Sequence, residues 1–173
     1  PYTTLFRSDF YNIPTTVLSQ VDSSVGGKVA IDMGSYKNIV GAFWQPKTVI
    51  IDPNVLSTLS LRQQHNGLCE ALKMGLILDD HLVSLFEQDT LDIDAMITRS
   101  IELKRDVVQQ DERESNLRKI LNFGHTIGHA IESAYGLNTY LHGECVAMGM
   151  LFFIEDKTLK QRVLNIYKKL DLP

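Results

Sequence analysis

Cysteine is scarce in this chain: there are two, Cys69 and Cys145, and neither lies in a C-x-x-C pair. A chain of 173 residues has no need of disulfide staples, so a reducing cytoplasm is the expected compartment. No apolar run approaches the ~20 residues of a membrane-spanning helix. The opening Pro-Tyr-Thr-Thr lacks the basic and apolar segments of a signal peptide. Basic residues are in deficit: 17 Lys and Arg against 21 Asp and Glu, a formal net charge of −4. That balance leaves no general footprint for nucleic acid. No G-x-G-x-x-G element occurs. The Gly-Gly-Lys at 26–28 is not a Walker A loop either, because Asp22 and Val29 stand where Gly and Ser or Thr are required.

What is present suits a globular fold. The hydrophobic share is 44% and the charged share 22%, ordinary values for a folded domain. Residues 10–14 predict a short strand stopped by Pro14, and residues 47–52 a β-branched strand before Pro53. From Leu56 onward the apolar spacing turns helical. Helices are predicted over 61–78, 80–88 and 93–110, over 117–135 and 142–155 as buried segments, and over 157–170 as an amphipathic one. The fold class expected is mainly α: a multihelical body over residues 56–173 behind a short α/β opening over residues 1–55.

The sharpest local feature is His125-Thr-Ile-Gly-His129. Histidines at i and i+4 share one helix face, and imidazole is the commonest metal ligand near neutral pH. A metal pair and a plain helix carrying two histidines fit this spacing equally. Three of the five histidines fall between 125 and 142. His142 and Glu144, at the mouth of a buried helix, offer a place for a third ligand of an open zinc site. Glu70 sits in the apolar run 67–75, where a carboxylate is costly unless paired or ligating; Lys73, three residues on, is its plain ion-pair partner. Lys28, Lys37, Lys73, Lys104 and Arg118 stand in apolar or Gly-rich settings. Lys28 beside Gly26-Gly27 reads as an anion nest. Asp111-Glu-Arg-Glu114 reads as a solvated charge cluster.

Together these segments resemble the 3-dehydroquinate synthase family. The resemblance is carried in order by 13–16 (I-P-T-T), 20–28 (Q-V-D-S-S-V-G-G-K), Lys37-Asn38, 67–73 (G-L-C-E-A-L-K), Lys104, 111–114 (D-E-R-E), 121–129 (L-N-F-G-H-T-I-G-H) and 141–144 (L-H-G-E). It implies a lyase that cyclises 3-deoxy-D-arabino-heptulosonate 7-phosphate to 3-dehydroquinate with loss of phosphate, on the route to aromatic amino acids. It also implies a tightly held NAD and a divalent zinc or cobalt ion. The implied fold is a dinucleotide-binding α/β domain followed by a helical metal domain, usually in a homodimer.

The resemblance also assigns roles. Glu70, His125 and His142 are implied metal ligands, which moves His129 to substrate contact or proton handling. Lys28, Asn38, Lys73, Lys104, Arg118 and Asn122 match substrate contacts for phosphate and carboxylate. Thr15, Thr16, Asp22, Lys28, Lys37 and Val55, Leu56, Ser57 and Thr58 match NAD contacts. The chain departs from the family pattern in three places. The Gly-rich dinucleotide-binding region expected ahead of residue 9 is missing. Residues 1–8 do not fit, with Phe6 where an arginine is expected and Arg7 one place late. The tail beyond Pro173, with a further lysine, is also missing. Ser60 replaces a common proline. The expectation is therefore a metal-domain fragment, inactive or nearly so alone and poorly soluble for its uncovered face. The rival readings are a 2-deoxy-scyllo-inosose or valiolone-type cyclase, a polyol dehydrogenase of the same superfamily, and a non-catalytic remnant.

Overall fold

The computed structural model describes residues 8–34, 36–136 and 139–173. The opening segment forms two small sheets. Strand β1 (Tyr11–Asn12) runs parallel to β4 (Thr48–Val49). Strands β2 (Lys28–Met33) and β3 (Tyr36–Phe43) form an antiparallel hairpin, with Lys28 opposite Phe43 and Ile31 opposite Val40. A π-helical turn, Ser19–Ser23, connects β1 to the hairpin, and a 3-10 turn, Pro53–Thr58, leads out of β4.

Six helices follow: α1 (Leu61–Leu78), α2 (Asp80–Glu87), α3 (Ile93–Gln110), α4 (His125–Tyr135), α5 (His142–Leu151) and α6 (Lys157–Lys169). Three begin on an aspartate whose carboxylate accepts an orphan backbone N–H: Asp79 from His81, Asp92 from Ala95 and Asp156 from Leu159. Helix α1 is the central post, buried without interruption from Asn66 to Gly75 and packed on α2, α3 and α5. The core around it includes Leu68, Leu72, Met74, Phe86, Met96, Val146, Met150, Val163 and Ile166. Among the described residues no helix is long and apolar enough to cross a membrane.

Three elements differ from the sequence expectation. The 117–135 segment is not one helix. A 3-10 turn, Leu117–Asn122, is separated from α4 by Gly124 at φ 77°. The left-handed backbone there is natural to glycine, and a side chain at Gly124 would collide with Met150 and the Val146 carbonyl. Helix α5 likewise stops at Leu151, short of 155. The hairpin β2–β3 answers to no strand in the sequence reading. Its apolar residues Ile31, Met33 and Ile39 are exposed, although Val29, Ile31 and Met33 alternate with Lys28, Ala30 and Asp32 as strand residues do.

The seam between α1 and α5 is close and polar at one point. The Asn66 side chain accepts the Gly143 N–H at 2.6 Å in a buried setting, because the residue before α5, Leu141, offers no capping oxygen. Asn66→Ala is therefore expected to cost about 1–3 kcal/mol, the penalty of a buried donor left unmade. Urea unfolding checks this: an unchanged midpoint would show that the cap contributes nothing.

Candidate metal centre and anion cleft

Glu70 projects from the buried stretch of α1 at 1% exposure. Its Oε2 receives Lys73 Nζ, one helical turn on and 2% exposed. Its Oε1 is buried without any hydrogen-bond partner. That orphan oxygen lies 3.6 Å from His125 Nε2, at the start of α4, and 3.4 Å from His142 Nε2, at the start of α5. The first separation is too long for a hydrogen bond and the second lies at its outer limit. They match the ~3.4 Å between ligand atoms that metal–N and metal–O bonds of about 2.0–2.1 Å require at tetrahedral angles. The three side chains thus offer a carboxylate and two imidazoles on one focus, a donor set that fits a divalent zinc or cobalt ion.

Burial opposes the charge on Glu70, but Lys73 and the two imidazoles more than offset it and hold the carboxyl well below the usual range. Burial likewise works against the Lys73 ammonium, and Glu70 together with Asp22 holds it protonated. Burial, reinforced by Lys73, lowers His125 and favours the neutral, ligating form. His129, one turn along α4 and exposed, has its ring 5.3 Å from that of His125 and 5.8 Å from that of His142. The i,i+4 spacing thus brings His129 to the edge of the cluster, while the oxygen-centred focus is shared by His125 and His142.

Next to this centre, across the Asp22–Lys104 pair, opens a cleft of about 870 Å³. Its polar lining is Asn12, Asp22, Ser23, Lys28, Asn38, Lys104 and Arg118. Each cation there has a protein partner. Lys104 contacts both the carboxylate (2.9 Å) and the backbone carbonyl of Asp22, and burial pushes its pKa down. Lys28 pairs with Glu114. Arg118, 2% exposed, donates to the carbonyls of Gly26 (2.9 Å) and Glu112 (2.6 Å). The Gly-Gly turn is therefore more than a source of free amides: a side chain at Gly26 would strike the Arg118 guanidinium. Asn122 is exposed and donates to Glu114 Oε1 at 2.8 Å.

Two polar residues turn out otherwise than the sequence reading had them. The 111–114 run is not a loose solvated cluster. Asp111 is buried and accepts the backbone N–H of Ser115, Asn116 and Arg118, which folds the turn that carries Arg118 into the cleft. Glu144 does not join the ligand focus. It receives Arg62 at 2.7 and 2.8 Å and caps the Leu141 N–H, tying the start of α1 to the start of α5. No sequence pattern marked Asn66 or Arg62, whose partners lie 77 and 82 positions away.

The expected dinucleotide contacts are dispersed. Thr15, Ser57 and Thr58 are exposed, and Val55 is partly so. Thr16 exchanges hydrogen bonds with Ser19, Asp22 is held by Lys104, and Leu56 belongs to the core. The side chain of Lys37, and residues Phe6 and Arg7, lie outside the described residues.

Comparison with known proteins bears on all of this. Residues 67–173 match the family described as 3-dehydroquinate synthase C-terminal, and residues 4–66 the family described as 3-dehydroquinate synthase N-terminal. A 3-dehydroquinate synthase from Caldanaerobacter subterraneus is 49% identical over 95% of this chain and 51% of its own length. Another from Geotalea uraniireducens is 46% identical over 95% and 50%. The chain spans about half the length of the curated relatives it matches. Among solved structures, the 2-epi-5-epi-valiolone synthase of Streptomyces hygroscopicus, with NAD+ and Zn2+ bound, superposes with a TM-score of 0.86 at 28% identity, covering 95% of this chain and 51% of that one. A 2-deoxy-scyllo-inosose synthase with carbaglucose-6-phosphate, NAD+ and Co2+ gives 0.80 at 28%, covering 94% and 48%.

Two outcomes follow for the polar core. Lys73→Met in metal-free protein leaves a buried carboxylate unpaired and is expected to cost about 3–5 kcal/mol, most of it recovered when Glu70→Gln is added. Equal losses for the single and double variants in urea would contradict this. The backbone N–H of Asn116, then those of Arg118 and Ser115, hold Asp111 far below the usual carboxylate range despite its burial. A carboxyl depressed in the folded state adds stability that is complete above its unfolded pKa, about 4, and disappears as pH falls toward the folded one. Asp111→Asn is expected to flatten the acid limb of the stability–pH curve below about pH 4, and an unaltered limb in pH-dependent melting would contradict that.

Proposed function

We propose, for a chain that belongs to the 3-dehydroquinate synthase family, that it carries the metal and substrate side of a sugar-phosphate cyclase centre acting on 3-deoxy-D-arabino-heptulosonate 7-phosphate. One observation carries this reading: the buried, unpartnered Glu70 Oε1 at the focus of two imidazole nitrogens. Glu70, His125 and His142 would hold a divalent ion. Such an ion polarises an oxygen of the substrate as a Lewis acid.

The remaining work falls to the chain's own residues. Lys73 keeps Glu70 ionised, so the carboxylate is ready to ligate. The cleft residues Lys28, Lys104 and Arg118 supply cationic donors for a phosphate and a carboxylate, with Asn38 at φ 54° presenting its amide from β3. Lys28 and Lys104 are paired with Glu114 and Asp22 and Arg118 is held by two backbone carbonyls, so an anionic substrate exchanges existing partners instead of meeting bare charges. That exchange makes positioning the larger part of the contribution. The exposed imidazole of His129, beside the two ligands, is placed to take or return a proton at the substrate edge of the centre. The chain's own contribution to NAD would come from the matched positions Thr15, Thr16, Asp22, Lys28, Lys37, Val55, Leu56, Ser57 and Thr58, and no step is assigned there. The domain division at residue 55, cytoplasmic residence and homodimer formation belong to the same proposal.

The superposition on valiolone- and inosose-forming enzymes supports a second reading, a cyclase acting on a sugar phosphate without a carboxylate. Arg118 and Lys104 on one cleft favour the keto-acid. Zinc titration is expected to show one bound equivalent. Glu70→Gln and His125→Ala should each weaken it by more than the ~10–100-fold typical of losing an outer partner. No binding, or binding indifferent to both changes, would overturn the metal assignment. Phosphate release from the keto-acid phosphate and from glucose 6-phosphate, each with NAD and zinc, separates the two substrate readings.

A further inference from the structure

Helices α4 and α5 lie against each other backbone to backbone, and the contact has a fixed register. A side chain at Gly128 would lie 3.0 Å from the Cys145 carbonyl, and one at Gly149 would overlap the Gly124 carbonyl. Position 124 thus faces 149 and position 128 faces 145: four steps along α4 correspond to four steps back along α5. One turn further, position 132 faces the start of α5, where His142 stands. Glu132 occupies that position, is 7% exposed, and places Oε2 3.9 Å from His142 Nδ1.

The imidazoles of His125 and His142 are therefore arranged alike. Each turns Nε2 toward Glu70 Oε1. Each turns Nδ1 toward an oxygen: the Phe123 carbonyl, at a hydrogen-bond distance of 3.2 Å, for His125, and the Glu132 carboxylate, 3.9 Å away and acting through its charge, for His142. An acceptor on Nδ1 keeps the ring proton there and leaves the Nε2 lone pair for a cation. A carboxylate facing Nδ1 favours the proton there through its charge, without a direct hydrogen bond.

We infer that Glu132 is a positioning residue: its carboxylate, set opposite His142 by the glycine-lined α4–α5 register, selects the Nδ1–H tautomer of His142 and tightens metal binding at the Glu70–His125–His142 focus. This rests on the metal reading above. The competing use of the same atoms is a second cation seat formed by His129, Glu132 and His142, whose ligand atoms also lie within 4.8 Å of one another. Filling both seats at once would need a lone pair on both nitrogens of His142, and so an imidazolate.

The test is zinc affinity by chelator competition, with the visible spectrum of the cobalt-loaded chain as a second readout. Glu132→Gln keeps the side-chain shape and removes the charge. It is expected to weaken zinc about 10–100-fold and alter the cobalt bands, with one equivalent still bound. Glu132→Asp is expected to restore part of the affinity. Asn66→Ala is the structural control, since it loosens the neighbouring seam without touching the ring. Wild-type affinity in Glu132→Gln would overturn the inference. So would a loss that merely tracks the fall in urea midpoint seen with Asn66→Ala, or a stoichiometry dropping from two to one. If the unaltered chain binds no zinc, or His125→Ala changes nothing, the metal reading fails first and the role of Glu132 falls with it.

Discussion

A full carboxylate buried in the central helix is the constraint around which this structure is arranged. Glu70 sits where water does not reach, and an isolated ion there would be prohibitively expensive. Lys73 neutralises one oxygen through the shortest route a helix offers, a single turn. The other oxygen is left facing two imidazoles that arrive from separate helices. The starts of α4 and α5 must converge on α1 for this to occur, and the supporting contacts secure that convergence: the Asn66 side chain on Gly143, Arg62 on Glu144, and Gly124 breaking the chain just before His125. An ion pair of this kind is a poor source of stability. Its persistence beside an unpartnered oxygen is better understood as preparation for a ligand.

The cleft follows the same logic in a milder form. Lys104 and Arg118 are almost fully buried, yet both are satisfied by the turn between residues 22 and 26. Asp111 fixes the opposite wall by gathering three backbone donors. The cations are therefore positioned by the fold and not by whatever anion approaches. Lys28, half exposed and paired with Glu114, is the one of the three whose partner is readily exchanged.

Much of this was legible in the sequence. The helices α1, α2, α3 and α6 follow from apolar spacing. The three residues on the metal focus were reached through family likeness, while the local spacing alone favoured the i,i+4 histidine pair. That spacing shows which side chains share a face but not which helix meets them. The hairpin β2–β3 was passed over although Val29, Ile31 and Met33 alternate with Lys28, Ala30 and Asp32, because the Gly-Gly-Lys turn before it was read only for its anion-binding chemistry. Glu144, Asn66 and Arg62 were illegible for a different reason: their partners lie some 80 positions away, and nothing local distinguishes an inter-helical cap from an ordinary surface residue. Asp111 was misread because composition marks a charge run as solvated, whereas a turn rich in unpaired N–H groups can draw one of its carboxylates inward.

The α4–α5 seam has a wider consequence. Where two helices meet through side chains, their spacing depends on the size of whatever residues fill the gap, and a substitution shifts it. Here the gap is filled by main chain, with glycine on one side and carbonyl oxygens on the other. The separation of His125 from His142 is thereby metered by the thickness of the polypeptide itself. Such a gauge has no smaller setting, and every larger one opens the pocket. Sequence drift in the surrounding apolar core can change how firmly the helices are held without changing how far apart they stand.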